Sequence, residues 1–174
     1  PMAESLSPEA TIRILNHYFS HMIRHIEAHD GIIVDFFGDA VLVFFDPFES
    51  SLKSMVLRAV RCGLSMQEEM KRFNREMAAE ELPTFQMGIG IHAGEVVVGN
   101  IGSEARAKYG IVGGAVNLTE RVQASAEGGQ VLVSDAVIAH AEDCLTIERS
   151  FEANLKGIET PVRLSVVTGC EENG

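Results

Sequence analysis

Hydrophobic positions fall along this chain in two rhythms, one helical and one extended. In "LSPEATIRILNHYFSHMIRHIEAHDG", Ile12, Leu15, Phe19, Met22, Ile23 and Ile26 recur at the three- and four-residue spacing of a single helix face. Ser7 stands before Pro8 and Glu9, so the pattern predicts a helix capped by Ser7 with Pro8 at its first position. Gly31 closes that segment. Two β-rich runs follow, 32–37 and 40–45, joined at Gly38-Asp39 in the manner of a hairpin. A second amphipathic helix is predicted over 50–78, ending in the charged "MQEEMKRFNREMAAEE", and Pro83 terminates the region.

"FQMGIGIHAGEVVVGNIG" predicts two further strands, 85–92 and 95–99, about a turn at Ala93-Gly94. Residues 99–114 read as a loop containing glycines and charges, with "SEARAKYGIVGG" as a mobile stretch. A short helix is expected from Ala115 to Ala126, then a turn, a strand and a brief helix in "GGQVLVSDAVIAHA". "CLTIERSFEANLKGIETPVRLSVVTG" closes the pattern as strands with a connecting turn. Helices mixed with at least two hairpins predict an α+β fold, with a mostly antiparallel sheet and helices covering one face.

Composition narrows the picture. A chain of 174 residues with 46% apolar content forms one domain, 1–174, with a core large enough to fold without staples. Three cysteines, at 62, 144 and 170, form no CxxC pair, which fits a reducing, intracellular setting. No run of about 18 apolar residues is present to span a membrane, and the first residues carry no signal-peptide pattern. The net charge of −11 argues against non-specific nucleic-acid binding, which needs a basic surface. An anionic substrate would then require metal ions or a few well-placed cations.

Candidate chemistry concentrates in two stretches. "GIIVDFFGDAVLVFF" carries two carboxylates amid apolar residues, and carboxylates are costly to bury unless paired or metal-bound. Asp39 sits at the turn, either as an ordinary hairpin residue or as a carboxylate projecting from the sheet edge. Alternation puts Asp35 on the same face as Ile33 and Phe37, so it should meet a partner. In "GIHAGEVVVGNIGSEARAKYGIVGGAVNLTERVQ", Asn117 and Arg121 fall at i and i+4 on one helix face. An amide donor beside a guanidinium fork suits an anionic ligand. A solvated face with Arg121 paired to an acid fits the same spacing. His17, His21 and His25 also recur every four residues, a spacing that can bind metal, but a solvated or interface stripe is the expected role.

Taken together, "FFGDAVLVFF" and, about forty residues later, "GIGIHAGEVVVGNIGSEARAKYGIVGGAVNLTERV" resemble the catalytic domain of the class III adenylate/guanylate cyclases. The resemblance extends over nearly the whole chain, through "LVSDAV" and "FEANLKGIETPVRLSVV". It implies a ferredoxin-like βαββαβ core and head-to-tail homodimers with active sites at the interface. The implied reaction converts GTP or ATP to the 3′,5′-cyclic nucleotide and pyrophosphate, with two Mg²⁺ or Mn²⁺ ions. Asp39 matches the second metal-binding aspartate of the family, Asn117 its ribose-orienting asparagine, and Arg121 its transition-state arginine. Lys156, in "NLKGIE", resembles a lysine that binds the terminal phosphates. Asp35 and Gly110 fall where the family selects its purine.

Two departures from the family pattern are visible. The first metal-binding aspartate lies in a strand ahead of the first helix, and this sequence begins after that point. The expectation is a truncated output domain of a larger cytoplasmic protein, with a sensor module upstream. The purine pair is also unusual: adenylate cyclases usually carry Lys with Asp or Thr there, and guanylate cyclases Glu with Cys. Asp35 is acidic like the guanylate type, and a carboxylate accepts from guanine N1–H and the 2-amino group, so GTP is favoured over ATP. The competing expectation is an inactive cyclase-like domain serving dimerisation, nucleotide binding or regulation. A diguanylate cyclase is disfavoured because the chain lacks a GGDEF-like hairpin.

Overall fold

The computed structural model describes residues 6–47 and 50–171. Helix α1 spans Pro8–Ala28, and the Ser7 hydroxyl accepts the Ala10 N–H at 3.2 Å as its cap. Strands β1 (Ile32–Phe37) and β2 (Ala40–Phe44) form the expected hairpin, with Gly38 at φ 62° in the turn. Helix α2 (Leu52–Ala79) begins with a Ser51 cap that accepts the Ser54 N–H at 3.1 Å. Met22 and Ile26 of α1 meet Cys62, Met70 and Phe73 of α2, and Ile33, Val41 and Val43 of the hairpin pack on that cluster. Burial pushes the Cys62 thiol up to about 12, so it behaves as a small apolar side chain.

The main sheet holds four strands in the order β3-β6-β8-β7, where β3 is Ile89–Ile91, β6 Val131–Ser134, β7 Leu145–Ala153 and β8 Val162–Cys170. The β3–β6 pair is parallel and the other two pairs are antiparallel. Helix α4 (Asp135–Ala141) follows β6 directly. Alternation along β6 divides the core: Val131 and Val133 pack with Val56 and Val60 of α2, and Leu132 packs with Val122. Val122 belongs to α3 (Gly114–Ala124), so helices cover both faces of this sheet rather than one. A strand buried on both sides loses the polar alternation that marks a single covered face.

Residues 85–99 differ from the sequence expectation. They do not form a hairpin about Ala93-Gly94; β3 pairs with β6, while β4 (Val97–Ser103) pairs with β5 (Arg106–Val112) in a separate antiparallel ribbon. The stretch read as a mobile loop is therefore ordered as two strands. Gly102 adopts φ 138°, and a Cβ there would lie 2.0 Å from the Arg106 carbonyl oxygen, so only glycine lets the ribbon close. The strand that the resemblance places before α1 lies outside the described residues.

The histidine stripe is also placed differently. His21 is buried and His25 half-buried in a polar seam between α1 and α2, while His17 keeps the exposed position expected of it. His21, 7% exposed, bonds Glu69 of α2 through Nδ1 at 2.5 Å; His25 reaches Glu69 at 3.3 Å, and Arg72 does so at 3.1 Å. Burial pushes the Glu69 carboxyl up, but the two imidazole hydrogen bonds and the Arg72 charge together outweigh it and hold it below the usual carboxylate range.

Candidate active site

The cavity beside β1 contains two of the expected residues. It measures about 270 Å³ and is lined by Asp35, Phe37, Leu42, Ile101, Lys108 and Gly110, among others. A bulge creates this arrangement. Ile33 pairs with Val43 and Asp35 with Leu42, which leaves Val34 as an extra residue in β1. Ile33 consequently faces the helices, and Asp35 turns to the opposite side with Phe37. Regular alternation, which put Ile33 and Asp35 on one face, is corrected by that single inserted residue.

Asp35 meets its partner there. Lys108 Nζ donates to Oδ2, and the Phe36 N–H donates to Oδ1 at 2.9 Å. The Lys108 bond, reinforced by the Phe36 amide, holds the Asp35 carboxyl below its ordinary range, so it is an ionised acceptor at neutral pH. Lys108 was not singled out from sequence. It stands two residues before Gly110, hence on the same face, but that relation is readable only once 106–112 is known to be a strand. Gly110 is buried opposite Gly99, and a Cβ there would approach Ile101 Cδ1 to 2.8 Å.

Asn117 and Arg121 lie on α3, one turn apart as expected. The Arg121 guanidinium lies over the turn that holds Lys156: a Cβ at Gly157 would sit 3.4 Å from both Nη1 and Nη2. Leu155, packed with Val122 and Leu132, anchors that turn to the core, and Lys156 is exposed beside it. Arg121 thereby stands one helical turn from the Asn117 amide and beside the turn that carries Lys156, a set of two cations and an amide. Such a group binds phosphate oxygens by charge-assisted hydrogen bonds.

Asp39 belongs to neither group. It is exposed on the β1–β2 turn, and among the described residues nothing hydrogen-bonds or ion-pairs with it. Its charge does reach Tyr18 of α1, whose hydroxyl is raised to about 12, mainly by burial and then by Asp39. Uncommitted carboxylate oxygens on a turn fit one ligand position for a hard cation such as Mg²⁺ or Mn²⁺.

Comparison with known proteins identifies the class. The family model of the adenylate and guanylate cyclase catalytic domain matches residues 1–167. The chain belongs to this family. Adenylate cyclase 1 of Rhizobium meliloti is 32% identical over 170 residues, which is 97% of this chain and 25% of that protein. The adenylate cyclase of Anabaena cylindrica is 29% identical over 160 residues, 88% of this chain and 30% of its own length. Among solved structures, the guanylyl cyclase Cya2 superposes with a TM-score of 0.92 at 41% identity, covering 99% of this chain and 87% of its own. The adenylyl cyclase CyaB from P. aeruginosa gives 0.91 at 29% identity, covering 99% and 89%. The chain thus spans between a quarter and a third of the curated relatives it matches. Among the described residues no helix is long and apolar enough to cross a membrane.

Proposed function

We propose that the domain catalyses cyclisation of GTP to 3′,5′-cyclic GMP and pyrophosphate, as a head-to-tail homodimer in the cytoplasm under an upstream sensor module. The observation that carries the reading is the cleft in which ionised Asp35, fixed by Lys108, faces the side-chain-free Gly110. Each oxygen of Asp35 already accepts one hydrogen bond and keeps a further lone pair. Those lone pairs suit guanine N1–H and its 2-amino group, whereas adenine N1 would present an acceptor to an acceptor. Leaving buried hydrogen-bonding groups mismatched discriminates strongly between bases. The 41% identity to the guanylyl cyclase Cya2 supports the same preference.

The reaction joins the ribose 3′-oxygen to the α-phosphorus, breaks the bond to the bridging oxygen of the β-phosphate and releases the 3′-hydroxyl proton. Asn117 orients the ribose. Arg121 meets the negative charge that grows on the reacting phosphate, and Lys156 holds the terminal phosphates. Asp39 provides a ligand for the divalent ions, Mg²⁺ or Mn²⁺, of which the family mechanism uses two. Bound ions of this kind neutralise phosphate charge and acidify the attacking hydroxyl. Asp39 serves from one protomer, and the base-facing Asp35 and Gly110 with Asn117 and Arg121 from its partner. The exposed apolar side chains Phe37, Val97, Ile101 and Val112 supply a surface for that pairing.

The test is cyclic-nucleotide production from GTP and ATP, measured side by side with Mn²⁺ at high protein concentration. Excess cyclic GMP is the expected outcome. Excess cyclic AMP would keep the cyclase and overturn the role given to Asp35. No product from a folded dimer would overturn the catalytic reading.

A further inference from the structure

Away from the cleft, the α1–α2 seam ends in a second constellation. His17 and His21 of α1 and Glu76 of α2 each present one ligating atom, and these atoms all lie within 4.8 Å of one another. It is the one convergence of three such side chains among the described residues. We propose that His17, His21 and Glu76 form a binding site for a divalent transition-metal ion of the zinc class, clamping α1 to α2.

Three observations support it. First, two imidazole nitrogens and one carboxylate form a borderline donor set that suits Zn²⁺, Co²⁺ or Ni²⁺ better than the hard Mg²⁺. Second, the buried imidazole is already oriented. Glu69 sits 2.5 Å from His21 Nδ1, and in the tautomer that donates Nδ1–H to it Nε2 offers a lone pair. A carboxylate behind a ligating imidazole is the usual support of such sites. His17 is held edge-on to His21, with ring centres 4.6 Å apart, and lies against Phe73 at 5.4 Å. Third, a cavity of about 320 Å³ opens beside His17 and Glu76, giving an ion access and a water the fourth position.

Closing the site asks little of the protein. Bonds of about 2.0–2.1 Å to a tetrahedral ion place ligand atoms about 3.3 Å apart. His17 and Glu76 are exposed and can supply that movement. Cations also border the site: Arg13 lines the cavity, Arg24 lies 3.0 Å from His21 Nδ1, and Arg72 lies 3.8 Å from Glu76. The Arg72–Glu76 pair is long and half-exposed, so it yields readily to an ion.

Calorimetric titration with Zn²⁺, in saturating Mg²⁺, tests the assignment on the full chain. One ion per chain is expected, with the thermal midpoint raised by about 5–10 °C at a hundredfold excess over the dissociation constant. His17→Gln and Glu76→Gln replace exposed side chains and should each weaken Zn²⁺ at least about tenfold. Asp39→Asn should leave Zn²⁺ binding unchanged. Absence of binding in the wild type, undiminished affinity in both seam variants, or loss in Asp39→Asn would each overturn the proposal.

Discussion

Strands β6 and β4 are both valine-rich, yet they occupy opposite extremes of burial. In β6, Val131, Leu132 and Val133 are at most 2% exposed, enclosed by α2 on one side and α3 on the other. In β4 every residue is exposed, Val97 at 70% and Ile101 at 50%. Their valines alone do not separate them; what they pack against does. The β6 strand is scaffold, completed within the chain. The β4–β5 ribbon shows apolar side chains to solvent and is the surface assigned above to the proposed pairing.

The contrast can be broken from either side. Leu132→Ala should cost about 2–5 kcal/mol of stability, because its cavity opens in the middle of a two-sided core. Chemical denaturation measures this directly, and a loss below about 1 kcal/mol would deny β6 its scaffold role. Arg121→Ala, at a half-buried position of α3 outside the apolar core, should leave stability near wild type and lower kcat by about a hundredfold to a thousandfold. Paired unfolding and turnover assays distinguish the two effects.

On the exposed side, Val97→Asp with Ile101→Asp should change the stability of the isolated chain by only about 0.5 kcal/mol per site. Self-association and turnover should fall together, by roughly tenfold or more, read by sedimentation and a concentration series of the assay. Unfolding of this variant would mean that β4 is scaffold like β6. Exchange of the purine pair, Asp35→Lys with Gly110→Asp, should move the GTP:ATP ratio towards ATP. The new side chain at 110 needs Ile101 to yield, so Ile101→Val belongs in the same chain.

A pH-dependent effect is expected at the seam. The Glu69 carboxyl is held below its unfolded value of about 4.3, so its stabilisation is complete above that pH and is lost as pH falls through the lower folded value. Glu69→Gln should therefore cost about 1–3 kcal/mol at neutral pH, with the gap narrowing in acid. Denaturation curves at pH 7 and in steps below pH 4 would show it; a gap independent of pH would remove the ion pairs from the account.

What could be read from sequence follows the same division. Helices α1 and α2 and the β1–β2 hairpin announce themselves through caps, periodicity and a Gly-Asp turn, because each has one covered face. The β4–β5 ribbon does so only at its start, where the strand expected at 95–99 overlaps β4 over Val97–Gly99; beyond it, mostly exposed side chains and Gly99, Gly102 and Gly110 leave no alternation to mark a strand. Lys108 stayed hidden with it. Asn117, Arg121 and Lys156 were legible as residues, while the closeness of Arg121 to the Lys156–Gly157 turn depends on a tertiary contact that no local spacing encodes. The burial of His21 was missed because every fourth position suits a solvated stripe as well as a buried one.

The extra residue at position 34 has a consequence for how this gene tolerates change. Deleting Val34 would restore an even ladder between β1 and β2, with no proposed site side chain removed. The reading frame would be intact, and the hairpin would still close. Asp35, now next to Ile33, would still pair with Leu42 and keep the cleft face by ordinary alternation, so the cleft would keep its acceptor. A one-codon deletion at this valine should thus be far less damaging to base recognition than replacing the aspartate itself.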